Sequence, residues 1–203
     1  MNNYKTQYAD IRFERAGLFK AISEKYHPRD VLYPGCSVHI TPSLYFPHVV
    51  YVDQSEAAAQ FFADEKSLLE FVNRNKQYRS SAYIRFLAGD YSGSLPLKER
   101  NFDLLLSLFA GGIAKACAKY LRAGGLLLTN NHQDDALDAA SDPALKLKAI
   151  IRFQKGNYSI QEDGLSKLKT PAQKPDKKYL RQVSRGVEYV ENETYYVFEN
   201  FHS

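Results

Sequence analysis

The sequence predicts an α/β fold built on a mainly parallel sheet. Short apolar, β-branched or aromatic runs alternate with stretches of helical periodicity, and that alternation is the mark of α/β proteins. The runs are Val31-Leu32-Tyr33, Val49-Val50-Tyr51-Val52, Ala82–Leu87, Phe102–Phe109 and Leu126–Thr129. The run FDLLLSLF is almost unbroken, as expected of a strand covered on both faces. Right-handed crossovers between parallel strands bring the carboxyl ends of all these strands to one edge, with helices on both faces of the sheet.

Each element follows from local chemistry. Tyr8 to Tyr26 reads as an amphipathic helix, with Ile11, Leu18, Phe19 and Ile22 at helical spacing and Arg12, Glu14, Arg15 and Lys20 between them. His27-Pro28 ends it, because a residue before proline disfavours the helical region. Residues 1–28 are therefore expected to form an N-terminal helical cap on a domain spanning 29–203. The first strand runs into Pro34-Gly35-Cys36-Ser37. Ile40–Phe46 is long enough for a short helix or turn, with Thr41 as N-cap and Pro42 at the first helical position. The second strand ends at Asp53, and Ser55 can cap a helix reaching Asn73. The third strand closes on Gly89-Asp90-Tyr91 and the fourth on Ala110-Gly111-Gly112. A helix over Ile113–Leu121 is stopped by Gly124-Gly125, and the fifth strand ends in Asn130-Asn131-His132. Asp134–Ala140 reads as a short helix whose leading acids match the helix dipole. Leu147–Phe153 and Tyr195–Phe198 are the late strands, separated by a long polar segment around 156–185.

The chain has 203 residues, 44% of them hydrophobic, which suits one domain with a sizeable core. No apolar run reaches the ~18 residues of a membrane span. MNNYKTQYADIRFER lacks the apolar centre of a secretory signal. The two cysteines, Cys36 and Cys117, form no zinc-ligand spacing. A reduced, cytoplasmic protein without a metal centre is expected. The net charge of +4 does not by itself imply nucleic acid. Between residues 165 and 185 Lys167, Lys169, Lys174, Lys177, Lys178, Arg181 and Arg185 face one acid, Asp176. Only Tyr179 accompanies them for base stacking, so nucleic-acid contact is weakly supported and a solvated loop is the simpler reading.

The edge that collects the strand ends is the expected ligand site. Glycine at the end of a parallel strand admits a ligand close to the backbone, and an acid at the end of the next strand can accept hydrogen bonds from both ribose hydroxyls. Asp53 follows Gly35 by 18 residues, close to the ~20 of dinucleotide-binding units. The plainer alternative is that Gly35 only makes a turn and Asp53 only caps the next helix.

With these segments in view the chain resembles the class I S-adenosylmethionine-dependent methyltransferases over roughly residues 30–198. VLYPGCS resembles that family's first motif, and VVYVD before a helix its ribose-binding acid. LAGDY is similar to the adenine-contacting loop, FDLLLSLFAGG to the segment facing the methyl group, and YLRAGGLLLTNN to the fifth strand with its preceding turn. The resemblance implies a Rossmann-like methyltransferase fold: a mostly parallel seven-stranded sheet with an antiparallel last strand. It also implies S-adenosylmethionine as cofactor and a small-molecule acceptor. The cofactor would touch Tyr33, Gly35, Cys36, Ser37, Asp53, Gln54, Asp90, Tyr91, Ser107 and Phe109, with Tyr33 or Phe109 facing the sulfonium. His132 is the candidate general base. Three positions depart from the family pattern. The family's acid falls at Tyr33, its second glycine at Ser37 and its third at His39. Those departures motivate the alternative: a non-catalytic protein that keeps the fold as a binding or scaffolding module. A nicotinamide dehydrogenase ranks below both, since no glycine follows Gly35 before Gly89.

Overall fold

The computed structural model of the chain describes residues 1, 4–10, 14–154, 157–165, 180–183, 186–189 and 194–201. Its strands are β1 (Asp30–Pro34), β2 (His48–Asp53), β3 (Tyr83–Ala88), β4 (Phe102–Ser107), β5 (Leu121–Thr129), β6 (Leu145–Gln154), β7 (Asn157–Gln161), β8 (Leu180–Val183), β9 (Gly186–Tyr189) and β10 (Thr194–Asn200). An 8-stranded sheet takes the order β3-β2-β1-β4-β5-β10-β6-β7, and β8 pairs with β9 in a separate 2-stranded ribbon. The first five strands run parallel to one another. β10 is antiparallel to both β5 and β6, as expected of the last strand, and β7 adds a further antiparallel edge strand.

The helices are α1 (Ala16–Tyr26), α2 (Glu56–Ala63), α3 (Glu65–Asn75), α4 (Ile113–Cys117) and α5 (Asp135–Ser141). Successive strand residues point to opposite faces. Val31, Tyr33, Tyr51, Leu104 and Leu106 join a core under α1, α2 and α3 with Leu18, Phe19, Phe62 and Leu68. Leu32, Val52, Leu105 and Leu127 join a second core under α4 and α5 with Ile113, Cys117 and Ala136. The central strands are thus buried on both faces, which explains why their sequences are nearly continuous apolar runs.

Several elements differ from expectation. The N-terminal helix is not continuous: residues Lys5–Ala9 make one wide turn, and α1 begins only at Ala16. Arg15 adopts a left-handed conformation (φ 53°), so the chain bends there and both Tyr4 and Tyr8 can turn into the core. The helix expected over 55–73 is two helices. Asp64 breaks it and accepts the Ser67 N–H (3.2 Å) as the N-cap of α3. Thr41 does not cap; it opens the 3-10 turn Thr41–Leu44, and its hydroxyl pairs with Tyr4 Oη at 3.0 Å. The helix expected over 113–121 ends at Cys117 and continues as a 3-10 turn. Gly124-Gly125 does not precede β5 but lies inside it. Phe102 pairs with Leu121 and Leu104 with Leu126, so the glycines sit in the excess chain of a bulge. Most of the basic segment 156–185 falls outside the described residues, as do the side chains of its seven basic residues between 165 and 185.

At the edge opposite the strand carboxyl ends, Asp103 fastens three segments. One carboxylate oxygen accepts the N–H groups of Arg29 (2.7 Å) and Asp30 (3.0 Å), and the other meets Arg122 Nε at 2.6 Å. Partial burial opposes its ionisation, but those backbone donors and the guanidinium outweigh it and hold the carboxyl below its ordinary range. Because the folded pKa is depressed, the stabilisation is complete above about pH 4 and is lost as pH falls through the folded value. Asp103→Ala is expected to cost about 1–3 kcal/mol at neutral pH. Acid-range thermal unfolding should show a shallower pH dependence than the wild type, and an unchanged melting profile would refute the assignment.

Candidate functional site

The site is assembled where β1, β2, β3, β4 and β5 end. Gly35 takes a left-handed conformation (φ +64°), which lets its N–H return to Val52 C=O at 2.8 Å. The turn is thereby locked to β2. Ser37, also left-handed, donates its N–H to Asp53 Oδ2 at 2.7 Å, and Ser55 donates its N–H to Oδ1 at 2.8 Å. Asp53 therefore couples the loop after β1 to the start of α2. Each of its oxygens retains acceptor capacity beyond the one bond it makes. Asp53 is half-buried, and Gln54 beside it is exposed.

The loops after β3 and β4 close against this turn. A Cβ on Gly35 would stand 2.7 Å from Ala110 Cβ and 3.5 Å from a Tyr91 ring carbon. The missing side chain thus admits the β4 loop in this conformation. Tyr91 Oη donates to Gly111 C=O at 3.0 Å and bridges the two loops. Asp90 accepts from Ser92 N–H (2.8 Å) and Ser92 Oγ (2.7 Å), the arrangement of an Asx turn, and these donors lower its carboxyl pKa. Tyr33, Cys36 and Ser107 are all but inaccessible to solvent. Burial pushes the Cys36 thiol well up, so it is not a reactive thiolate.

Asp135, read from sequence as a first-turn helix acid, is fully buried. It accepts Ser107 Oγ–H at 2.6 Å and the Ala114 N–H at 2.9 Å, joining the end of β4 to α4 and α5. Burial raises its carboxyl pKa, against the effect of its hydrogen bonds.

The N-terminal segment lies over the loop that follows Gly35. Tyr8 stacks on His39 with centroids 4.4 Å apart and rings 8° from parallel, and it also hydrogen-bonds the Ser37 side chain. His39 Nδ1 pairs with Tyr33 Oη and Nε2 with Glu14 C=O, each at 3.0 Å. Arg15 is 3% exposed; its Nε donates to Tyr195 Oη at 3.2 Å, and its guanidinium lies 4.2 Å from the Phe109 ring centroid. Phe109 holds a left-handed conformation (φ 59°), and its ring lies 5.8 Å from that of His132, which is half-buried at the end of β5. Tyr8, Arg15 and Asp135 were missed as site-forming residues by sequence reasoning. Nothing in the local sequence marks them, since their burial comes from partners distant in the chain.

Among the described residues no helix is long and apolar enough to cross a membrane, and no group of three or more His, Cys, Asp or Glu side chains is arranged to hold a metal. No protein-family model matches the chain, and no curated protein matches it. Solved structures do match. One is a Klebsiella pneumoniae protein designated an O-methyltransferase, with TM-score 0.52 and 10% identity over 93% of this chain and 80% of that one. Another is the Bacillus cereus O-methyltransferase in complex with S-adenosylhomocysteine, with TM-score 0.50 and 12% identity over 92% and 80%. A third is geranyl diphosphate methyltransferase in complex with geranyl diphosphate and sinefungin, with TM-score 0.51 and 15% identity over 68% and 60%. At this level of identity the likeness is one of fold. The chain has the Rossmann-like fold of the class I S-adenosylmethionine-dependent methyltransferases.

The rim can be compared with the two halves of that cofactor. The adenosyl half fits: Asp53 has acceptor capacity left for ribose hydroxyls, and Gln54, Asp90 and the half-exposed Tyr91 border the same edge. At Ser37, His39 and Phe109, where the family resemblance would set the other half, side chains of this chain are packed: Tyr8 stacks on His39, and the Arg15 guanidinium lies over the Phe109 ring.

Burial, with Arg15 nearby, lowers the His39 pKa from its ordinary 6.5 to about 3. A depressed folded pKa means that stability is complete above pH 6.5 and is lost as pH falls toward 3, because the unfolded chain binds the proton first. His39→Gln is expected to lower stability at pH 7. Between pH 6.5 and 4.5 its melting temperature should decline less steeply than the wild type's. Parallel slopes in a pH series of unfolding curves would contradict the neutral, buried imidazole.

Proposed function

We propose that the chain binds S-adenosylmethionine through its adenosyl half at this rim and acts as a methyltransferase on a small acceptor. The supporting observation is the shared rim of the Gly35 turn and Asp53, joined by the Ser37 N–H bond. Asp53 would accept from the ribose hydroxyls, with Gln54 and Asp90 at the adenine edge and Tyr91 over the ring. The buried Tyr33, Cys36 and Ser107 would shape the floor, and Phe109 would border the reacting end. The cofactor when bound supplies an electrophilic methyl group, and the protein's part is to position the reactants and exclude water. His132 is the candidate to take a proton from an oxygen or nitrogen acceptor. Two of the structural relatives carry S-adenosylhomocysteine or sinefungin, and one of these also carries geranyl diphosphate, which agrees with this reading.

A second reading is favoured by the Arg15–Phe109 contact and the Tyr8–His39 stack: a protein of this fold serving as a binding or scaffolding module without methyl transfer. Calorimetry separates the two. S-adenosylmethionine and S-adenosylhomocysteine are each expected to bind the wild type at or below millimolar concentration. Asp53→Asn should weaken both about tenfold or more, as expected for loss of a charge-assisted hydrogen bond of about 1.5–3 kcal/mol. No heat from either ligand at millimolar concentration would sink the enzyme reading and leave the second.

A further inference from the structure

β3 is an outer strand of the sheet, and among the described residues nothing bonds to the side of it turned away from β2. Free N–H and C=O groups on such an edge are a template for another strand, so proteins usually blunt it with proline, lysine, a bulge or a covering segment. β3 carries no such device. Its six residues are YIRFLA, with Arg85 the sole charge, and all six pair with β2 without a break in register. Tyr83, at its start, is 51% exposed.

The ladder with β2 shows which groups are free. Tyr83 N–H donates to Pro47 C=O at 2.7 Å, and Gly89 N–H donates to Asp53 C=O at 3.1 Å. A strand bonds to one neighbour through alternate residues, so 83, 85, 87 and 89 bond inward. Ile84, Phe86 and Ala88 turn their N–H and C=O groups outward.

We propose that β3 pairs edge to edge with β3 of a second copy of this chain, antiparallel about a two-fold axis at Phe86, making one continuous sheet through both protomers. The pairing does not depend on cofactor binding.

The register follows from symmetry and charge. A two-fold axis through the sheet sets the edges antiparallel and keeps opposite residues on one face. Outward residues must then meet outward residues as hydrogen-bonded pairs. Centred on Phe86, Phe86 meets its own copy and Ile84 meets the partner's Ala88, so every outward residue of both strands is used. Centring on Arg85 would set two guanidinium side chains directly opposite, which is destabilising. Centring nearer either end leaves half or more of β3 against loop residues. In the Phe86 register, Tyr83 stands opposite the partner's Gly89. A Cβ built on Gly89 meets nothing within 4 Å, so there is room on that face for the ring. An aromatic across from an edge glycine is a favourable pair. Because Gly89 adjoins Asp90, each copy's Tyr83 stands at the border of the other's rim. Six strand residues a side are well short of the roughly 20–30 of a standard interface, so the association is weak and concentration-dependent.

Sedimentation velocity of the wild-type chain is expected to show monomer at about 1 µM and mostly dimer toward about 1 mM, the range of weak pairs. Hydrogen exchange at the two concentrations reads the strand directly. The amides of Ile84, Phe86 and Ala88 should slow severalfold at the higher one, while those of Tyr83, Arg85 and Leu87, already bonded to β2, change little. Ala88→Pro removes an outward N–H from each copy and leaves the bonds to β2 in place; circular dichroism checks its fold. It should weaken association about tenfold or more, through two lost interface bonds. Tyr83→Cys combined with Gly89→Cys tests the register, since such a non-hydrogen-bonded pair brings Cα atoms to about 4.5 Å, within disulfide reach. The double variant should form a disulfide-linked dimer under mild oxidation and neither single variant should, Cys36 and Cys117 being buried. A wild type still monomeric at about 1 mM, a dimer indifferent to Ala88→Pro, or a double variant that links no better than the single ones would overturn the pairing.

Discussion

The carboxylate of Asp53 accepts one hydrogen bond from the loop after β1 and another from the start of α2. It satisfies two backbone donors at the parallel-strand edge, where no ladder partner is available to them. The left-handed conformations of Gly35 and Ser37 aim the first donor at it, and Ser55 supplies the second while its own hydroxyl caps α2. The rim therefore has a fixed outline even though it is built from loops. The same residue is the one proposed to hold a ribose, so on that reading binding and local order would share a single group.

The two halves of the rim obey different electrostatics. Around Asp53, Gln54 and Asp90 the surface is acidic and solvated. Around Arg15, His39, Tyr33 and Tyr8 it is buried, with a guanidinium against an aromatic ring and an imidazole kept neutral by the surrounding low-dielectric core. A neutral imidazole has one donor and one acceptor nitrogen, and its two ring nitrogens meet Tyr33 Oη and the Glu14 carbonyl. A second positive charge beside Arg15 would be costly there, so the apolar half tolerates one cation at a time.

The parallel core was legible because each central strand is an apolar run bounded by glycine, proline or an acid, and FDLLLSLF reads as a strand buried on both faces; the strand order was not. The gathering of Gly35, Asp53, Tyr91, Phe109 and His132 at one edge followed from handedness alone. Illegible features were those decided by tertiary partners. Tyr4 and Tyr8 lie on a separate helical turn and are buried, Tyr4 against Thr41 and Tyr8 against His39, contacts between distant parts of the chain that periodicity does not reveal. Asp135 looks like any acid opening a helix; only the proximity of Ser107 and the Ala114 N–H makes it a buried acceptor. The glycine pair 124–125 carries the composition of a stop signal, yet the pairing of Leu121 with Phe102 turns it into a bulge.

β10 lies between β5 and β6, antiparallel to both. Two inner edges of the sheet thus wait for residues 194–200, whose partners lie 42 to 73 positions earlier in the chain. During synthesis on the ribosome, β1 to β5 can pair as they emerge and β6 can pair with β7, but β5 and β6 are joined into one sheet only once residues 194–200 appear between them. Assembly of this half is necessarily late and dominated by distant contacts, the circumstance in which β pairing is slow and exposed edges invite association between chains.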